Sequence, residues 1–491
     1  MCGVIGIYGP EDVSEQIFFA MRGSKHRGRS GAGIITFDGS NIFSKKTGLT
    51  VDELMSLDEL KHYEGNVGLG HTRYSTSGSD DLDELKRNAQ PEYIINPLLA
   101  ASHNGNIYNY KEVLSNLKRK PRTGCDIQAL LLSMHNELKK HNKINEETVI
   151  DSSEEILSEI KGSFSADFIT SEDDTPSLFA LTDPYKVRPL VVGKKKDKNS
   201  DKNFWYVVSE TSVLKRLGAE YVMDVPGGSV LFVNPEWDEP RYKTIVKKKP
   251  WHCMFEWVYF ADRNSEINGV SVHNVRRIIG ERLAVEHPAD ADIVIPVPES
   301  GRAYAIGFSY KSGIPLEEGL VKYEKTRTFI LQTQQERDKE AEHNIEAIDI
   351  AVKDKKVVLV DDSQIRGTNM RKYIKKLRKA GAKEVHVRIG CPPVLSPCYL
   401  GIDMRSKNEF IARKEDGDLK SWNKIAEEIN ADSLGYGSME TLNKAIKGSR
   451  DDFEICTGCL RKIPDGYPPC MRDDVLELFS RDRGDGRAYE F

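Results

Sequence analysis

The chain has 491 residues, 39% of them hydrophobic and 30% charged, with a net charge of -5; that length suits about two to four domains with cores of their own. The mild negative balance argues against a nucleic-acid or membrane surface as the main business, and no apolar run reaches the length of a spanning helix. With no basic-then-apolar leader and eight scattered cysteines, a cytoplasmic location with reduced thiols is expected, not a secreted disulfide framework.

Met1-Cys2-Gly3 opens the chain. The small Gly3 favours trimming of Met1, and Cys2 would then carry a thiol and a free α-amine on one skeleton. An α-amine titrates at about 7.7–8.0, so it can serve as the base for its own thiol. Up to about residue 250, runs such as GVIGIYG, GAGIITFDGSNIF, SLFALTD, FWYVVSE and SVLFVN are broken by Gly, Asn and Asp. They predict strands and turns, with helices between them, one around Ile127 to Leu138. The triplets Lys194-Lys195-Lys196 and Lys247-Lys248-Lys249 are expected in solvated loops.

After Pro250 the pattern changes. Helical stretches such as VRRIIGERLAVEHP and MRKYIKKLRKAGA alternate with DIVIPVPESG, VVLVDD and VHVRIGCPP, as in a parallel α/β sheet. Domains are therefore expected over 1–250 and 251–450. Residues 451–491, rich in Asp, Arg, Gly and Pro, are expected to form a poorly packed tail anchored by cysteines.

Within the second half, Val357 to Val360 predict a buried strand that Asp361 and Asp362 terminate. The Ser363-Gln364-Ile365-Arg366-Gly367-Thr368 turn then leads into a helix near Asn369. Amides at such a turn cradle a phosphate, and the paired acids suit ribose hydroxyls or Mg²⁺. Cys456-x-x-Cys459 is a half-site that serves Zn²⁺, an iron–sulfur cluster or nothing.

VVLVDDSQIRGT resembles the phosphoribosyl pyrophosphate (PRPP) signature of type I phosphoribosyltransferases. Cys2, Lys25-His26-Arg27-Gly28, the HTRYSTSG run from His71, His103-Asn104-Gly105-Asn106 and Gly124-Cys125-Asp126 resemble, in that order, the class II glutamine amidotransferases. Joined, and with Phe255 to Ala261, Pro298-Glu299-Ser300-Gly301 and Arg327-Thr328-Phe329-Ile330, they resemble the amidophosphoribosyltransferase family over nearly the whole chain.

The resemblance implies a fold, an α+β N-terminal nucleophile (Ntn) hydrolase-type α/β/β/α sandwich followed by an α/β type I phosphoribosyltransferase domain with a parallel sheet. It implies an activity, glutamine-dependent transfer of ammonia to PRPP giving 5-phosphoribosylamine, glutamate and pyrophosphate, the first step of de novo purine (IMP) biosynthesis. Residue by residue, Cys2 matches the nucleophile, Asn104 and Gly105 the oxyanion hole, and Arg73 and Asp126 the groups holding glutamine's α-carboxylate and α-ammonium. Lys322, Arg327, Asp361, Asp362, Ser363, Arg366, Gly367 and Thr368 match the PRPP site. Ser300, Asp361 and Asp362 match the Mg²⁺ ligands. Cys253, Cys398, Cys456 and Cys459 match the ligands of a [4Fe-4S] cluster, expected far from the substrate sites, with Cys391 and Cys470 left over. A homo-oligomer of two or four copies and inhibition by purine nucleotides belong to the same expectation.

The chain departs from the family in three places. Glu299 stands where Asp is usual, and Tyr323-Glu324-Lys325 replaces the Asn-Arg-Tyr after Lys322. Where the family carries a basic loop that closes over PRPP, Glu336, Asp338, Glu340, Glu342, Glu346 and Asp349 outnumber Arg337 and Lys339. PRPP is strongly anionic, so an acidic loop opposes closure. That keeps open an alternative, a paralogue or a PRPP- or nucleotide-sensing module with weak transfer.

Overall fold

Residues 1–74, 81–323, 345–404, 406–463 and 465–481 are described by the computed structural model. The strand Gly3–Tyr8, apolar on both faces, lies at the centre of a seven-stranded sheet. The order is Glu220–Asp224, Val191–Lys196, Asn203–Val208, Gly3–Tyr8, Val67–Thr72, Ala32–Phe37 and Ile42–Thr47. Its neighbours run antiparallel, with Ile5 opposite Val208 on one side and Gly70 on the other. Alternation sends Ile5 and Ile7 to the Ser14–Gly23 helix, where they meet Ile17, Phe18 and Met21.

A second sheet of six strands stacks on the first: Arg241–Thr244, Ser229–Val233, Thr175–Thr182, Gly162–Glu172, Leu99–Ile107 and Glu92–Ile94. Ile35, Leu69 and Trp205 from one sheet and Ala100, Ile169 and Leu231 from the other form the apolar layer between them. Helices Ile127–Leu138 and Glu146–Glu159 cover the outer face through Leu130, Met134 and Ile156. A capping box of Asn145 and Thr148 starts the second helix. The result is the expected α/β/β/α sandwich.

In the second half, Ile293–Pro296, Lys356–Asp361, Glu384–Ile389 and Ser433–Tyr436 form a parallel four-stranded sheet. Val358 and Val360 face Ile279, Leu283, Tyr304 and Phe308 of helices Val272–Glu286 and Arg302–Ser312. Val357 and Leu359 face Met370, Ile374 and Leu377 of helix Thr368–Lys379 and Ile425 and Ile429 of helix Trp422–Ile429. Burial on both faces is why this strand reads as an unbroken apolar run.

Two expectations are corrected. Lys194 to Lys196 lie in a strand, with Lys194 opposite Trp205, while Lys247 to Lys249 are in an exposed loop. The described part of the segment after residue 450 is packed: Phe453, Tyr467, Met471 and Val475 are buried in the same core as Trp257 and Phe308. Its polar composition hid these apolar residues because they are widely spaced. Among the described residues, no helix is long and apolar enough to cross a membrane.

Candidate active site

Strand pairing brings the N-terminus against the strand Leu99–Ile107. The Cys2 N–H donates to Asn104 Oδ1 at 3.0 Å, which leaves Asn104 Nδ2 buried and without a partner among the described residues. Arg27 Nε donates to the Cys2 carbonyl at 2.9 Å, and the Tyr74 N–H points at Cys2 Sγ at 3.5 Å. Gly105 is closed to any side chain, since a Cβ there would stand 1.9 Å from the Ser163 carbonyl oxygen. An uncommitted amide nitrogen and a bare glycine backbone beside a thiol can meet a developing oxyanion.

Asp126 precedes the helix Ile127–Leu138 and accepts from the Ile107 N–H at 2.8 Å. It also meets His103 Nε2 at 3.2 Å. Burial pushes the Asp126 carboxyl up, but the His103 charge and hydrogen bond outweigh it and hold the group below its ordinary value. Burial pushes the Cys125 thiol up to about 12, and Asp126, Arg73 and Cys2 all lie within its electrostatic reach. Burial, with the His103 charge, lowers His71 to about 3, so its neutral ring sits 3.1 Å from the His103 carbonyl.

At the other end, Asp361 and Asp362 close the strand Lys356–Asp361. Ser300 Oγ donates to Asp361 Oδ1 at 3.2 Å, and the Ser363 hydroxyl donates to Asp362. Asp361 is pushed well above its ordinary value by burial and then by the Asp362 charge; two adjacent buried acids suit a cation. Gly367, at φ 71°, turns the chain into the helix Thr368–Lys379. Arg366 pairs with Glu409, and Glu299 turns to Arg302 at 3.0 Å. Lys322 ends the strand Leu320–Lys322, and Arg327 lies outside the described residues.

A cavity of about 1050 Å³ lined by Ser300, Asp361 and Thr368 extends to Arg27, Gly28 and Tyr74, of which Arg27 and Tyr74 hydrogen-bond to Cys2. Lys322, Ser363, Arg366 and Gly367 line it too.

Sequence reasoning gave no role to Arg27, His103, Glu210 or Glu256. Arg27, wholly buried, pairs with Glu210 and, through both terminal nitrogens, with Glu256 at 2.9 and 3.0 Å. The signal for Glu256 was an acid inside the apolar run FEWVYF.

Cys253, Cys398, Cys456 and Cys459 are all buried, and Cys253 stands opposite Cys456 in a parallel strand pair. Cys398 and Cys456 both lie within electrostatic reach of Cys459. Among the described residues, no three His, Cys, Asp or Glu side chains form a group that could hold a metal ion. A cubane cluster, larger than one ion, keeps its thiolates farther apart. The wholly buried Arg188 reaches Cys253, Cys398 and Cys456 electrostatically, and its Nε and Nη1 have no partner among the described residues. A buried cation with unpartnered donors, within electrostatic reach of these thiols and of Glu256, fits an anionic thiolate-bound group.

The model of a glutamine amidotransferase domain matches residues 71–216. The chain is 38% identical to an amidophosphoribosyltransferase of Methanocaldococcus jannaschii, over 94% of this chain and 96% of that protein. It is 35% identical to the chloroplastic amidophosphoribosyltransferase 2 of Arabidopsis thaliana, over 97% and 81%. It superposes with a TM-score of 0.81 on the glutamine PRPP amidotransferase of B. subtilis complexed with ADP and GMP, at 32% identity over 95% and 97% of the two chains.

Proposed function

Since the chain belongs to the amidophosphoribosyltransferase family, we propose that its two ends work in series. The protein is an enzyme that converts glutamine, water and PRPP to 5-phosphoribosylamine, glutamate and pyrophosphate, the first step of purine biosynthesis. The relatives favour this transferase over the sensing module. In our assignment, removal of Met1 frees the Cys2 amine, which takes the thiol proton as sulfur attacks the glutamine amide carbon. The Asn104 side chain and the Gly105 N–H receive the oxyanion. Arg73 and Asp126 hold the amino-acid end of glutamine. Ammonia departs, and water releases glutamate from the thioester.

The ammonia attacks ribose C1 as the C1–oxygen bond to pyrophosphate breaks. Amides of the Ser363–Thr368 turn, with Lys322, Arg327 and Arg366, bind the phosphates. Ser300, Asp361 and Asp362 would hold Mg²⁺, which when bound supplies charge neutralisation at the leaving group. Cys253, Cys398, Cys456 and Cys459 would hold a [4Fe-4S] cluster, which when bound cross-links the segment after residue 450 to the body. Purine nucleotides as inhibitors, a dimeric or tetrameric assembly and a cytoplasmic location complete the proposal.

The observation that supports it is the cavity that runs from Asp361 and Thr368 to Arg27 and Tyr74, both hydrogen-bonded to Cys2. Its test is pyrophosphate release from PRPP. Cys2→Ala is expected to abolish the glutamine-dependent rate and spare the ammonia-dependent one; loss of both, or of neither, contradicts the assignment, as does retained Met1 in active protein by mass spectrometry. Anaerobically purified protein is expected to be brown with about four irons per chain. Zinc without iron or sulfide would count against the cluster.

A further inference from the structure

The segment that follows Cys398 is fastened to the back of the strand carrying Asn104 and Gly105. Asn106 Nδ2 donates to the Tyr399 carbonyl at 2.8 Å, and Ser163 Oγ donates to the Leu400 carbonyl at 2.9 Å. Asn106 and Ser163 are themselves opposite each other in the sheet. Gly401, at φ 103°, approaches so closely that a Cβ would lie 2.7 Å from the Gly105 carbonyl oxygen. The same Cβ would lie 3.3 Å from Arg188 Nη2. The cysteine region is therefore not remote from the Cys2 centre, contrary to the expectation from sequence.

Arg188 is the link between them. Its Nη2 donates to the Leu400 carbonyl, and its own carbonyl accepts from Ser165 Oγ at 2.9 Å. The loop before it is held by Asp183, whose carboxylate accepts from the Phe164 and Val187 N–H groups, both at 3.2 Å. A buried arginine that caps one carbonyl is ordinarily a structural tie. This one also lies within electrostatic reach of Cys253, Cys398, Glu256 and Cys456, while through Leu400 and Gly401 it bears on the strand that carries Gly105.

We propose that Arg188 and Gly401 are positioning residues for glutamine hydrolysis: together they press the Tyr399–Gly401 segment onto Gly105 and set the direction of its N–H. The proposal rests on Asn104 and Gly105 being the oxyanion hole. Displacing such a donor by a fraction of an ångström weakens its grip on the transition state more than on bound glutamine.

The test uses full-length protein purified without oxygen and follows glutamine hydrolysis, ammonia-dependent transfer, iron and sulfide content and the visible spectrum. Gly401→Ala is expected to lower kcat for glutamine about 10- to 100-fold with KM little changed, and to leave iron content and ammonia-dependent transfer as they were. Arg188→Met is expected to lower both kcat and iron content, with Arg188→Lys restoring part of each. Should Gly401→Ala fail to fold, Asn106→Ala, which removes the hydrogen bond to the Tyr399 carbonyl, is expected to lower kcat in the same way. Asn104→Ala separates the two layers. If Asn104→Ala destroys hydrolysis while a folded Gly401→Ala, or Asn106→Ala in its place, stays within twofold of the parent, the positioning role is wrong and the oxyanion assignment stands. If Asn104→Ala is itself without effect, the oxyanion assignment fails first.

Discussion

His103 and Asp126 are an ion pair buried near Cys2, and their charges set a pH window. Burial opposes the charge on His103, but Asp126 outweighs it and raises the imidazole above its ordinary value of 6.5. Its contribution is therefore fully present below about pH 6.5 and is lost as pH rises through the higher folded value. Asp126 is lowered from 3.8, so its contribution holds above that value and is lost as pH falls through the folded one. His103→Asn is expected to lower the melting temperature most between about pH 4 and 6.5, with the difference from the parent shrinking as pH rises through the raised folded value; a pH-independent difference in calorimetry would contradict the pairing. Sequence reasoning reached Asn104 and Asp126 through their short motifs but gave His103 no role. Its partner lies 23 positions on, and no local pattern records a contact made by pairing strand to helix.

At the scale of elements, the turn into Thr368–Lys379 was legible because its demands are local. Gly367 has φ 71°, and a Cβ there would meet Ile411 Cδ1 at 2.4 Å. Gly367→Ala is expected to cost about 1–2 kcal/mol of stability from the left-handed backbone alone and to raise KM for PRPP in the ammonia-dependent assay. An unchanged KM would remove the turn from the PRPP site. The acidic stretch is different, since Glu336, Asp338, Glu340 and Glu342 lie outside the described residues. Of the remaining two acids, Glu346 pairs with Lys376 at 2.7 Å and Asp349 begins the helix Asp349–Val352. Replacing both Glu340 and Glu342 by Lys is expected to lower the apparent PRPP constant and the Mg²⁺ requirement; no change in either would make the acidic character irrelevant to binding.

For the whole molecule, the sheet classes were legible in the first half's short Val/Ile/Phe/Tyr-rich runs broken by Gly, Asn and Asp and in the second half's alternation of helical stretches with unbroken apolar strands. The packing of the last segment was not, because Phe453, Tyr467 and Val475 are scattered through polar sequence and meet only in space. Phe453 stacks on Trp257 with ring centroids 6.1 Å apart, and Phe453→Ala is expected to cost about 3–5 kcal/mol, measured by chemical denaturation. Arg27 carries a related consequence, for modularity. The guanidinium that grips the Cys2 carbonyl is neutralised in part by Glu256, a residue encoded after the change of pattern at Pro250. A fragment ending at residue 250 would keep Glu210 beside Arg27 but lose the two-pronged pair with Glu256, so the guanidinium at the Cys2 carbonyl would be less firmly held. The seam where the sequence looks divisible is thus not one along which the working parts can be taken apart: residues 1–250 expressed alone are expected to be inert toward glutamine.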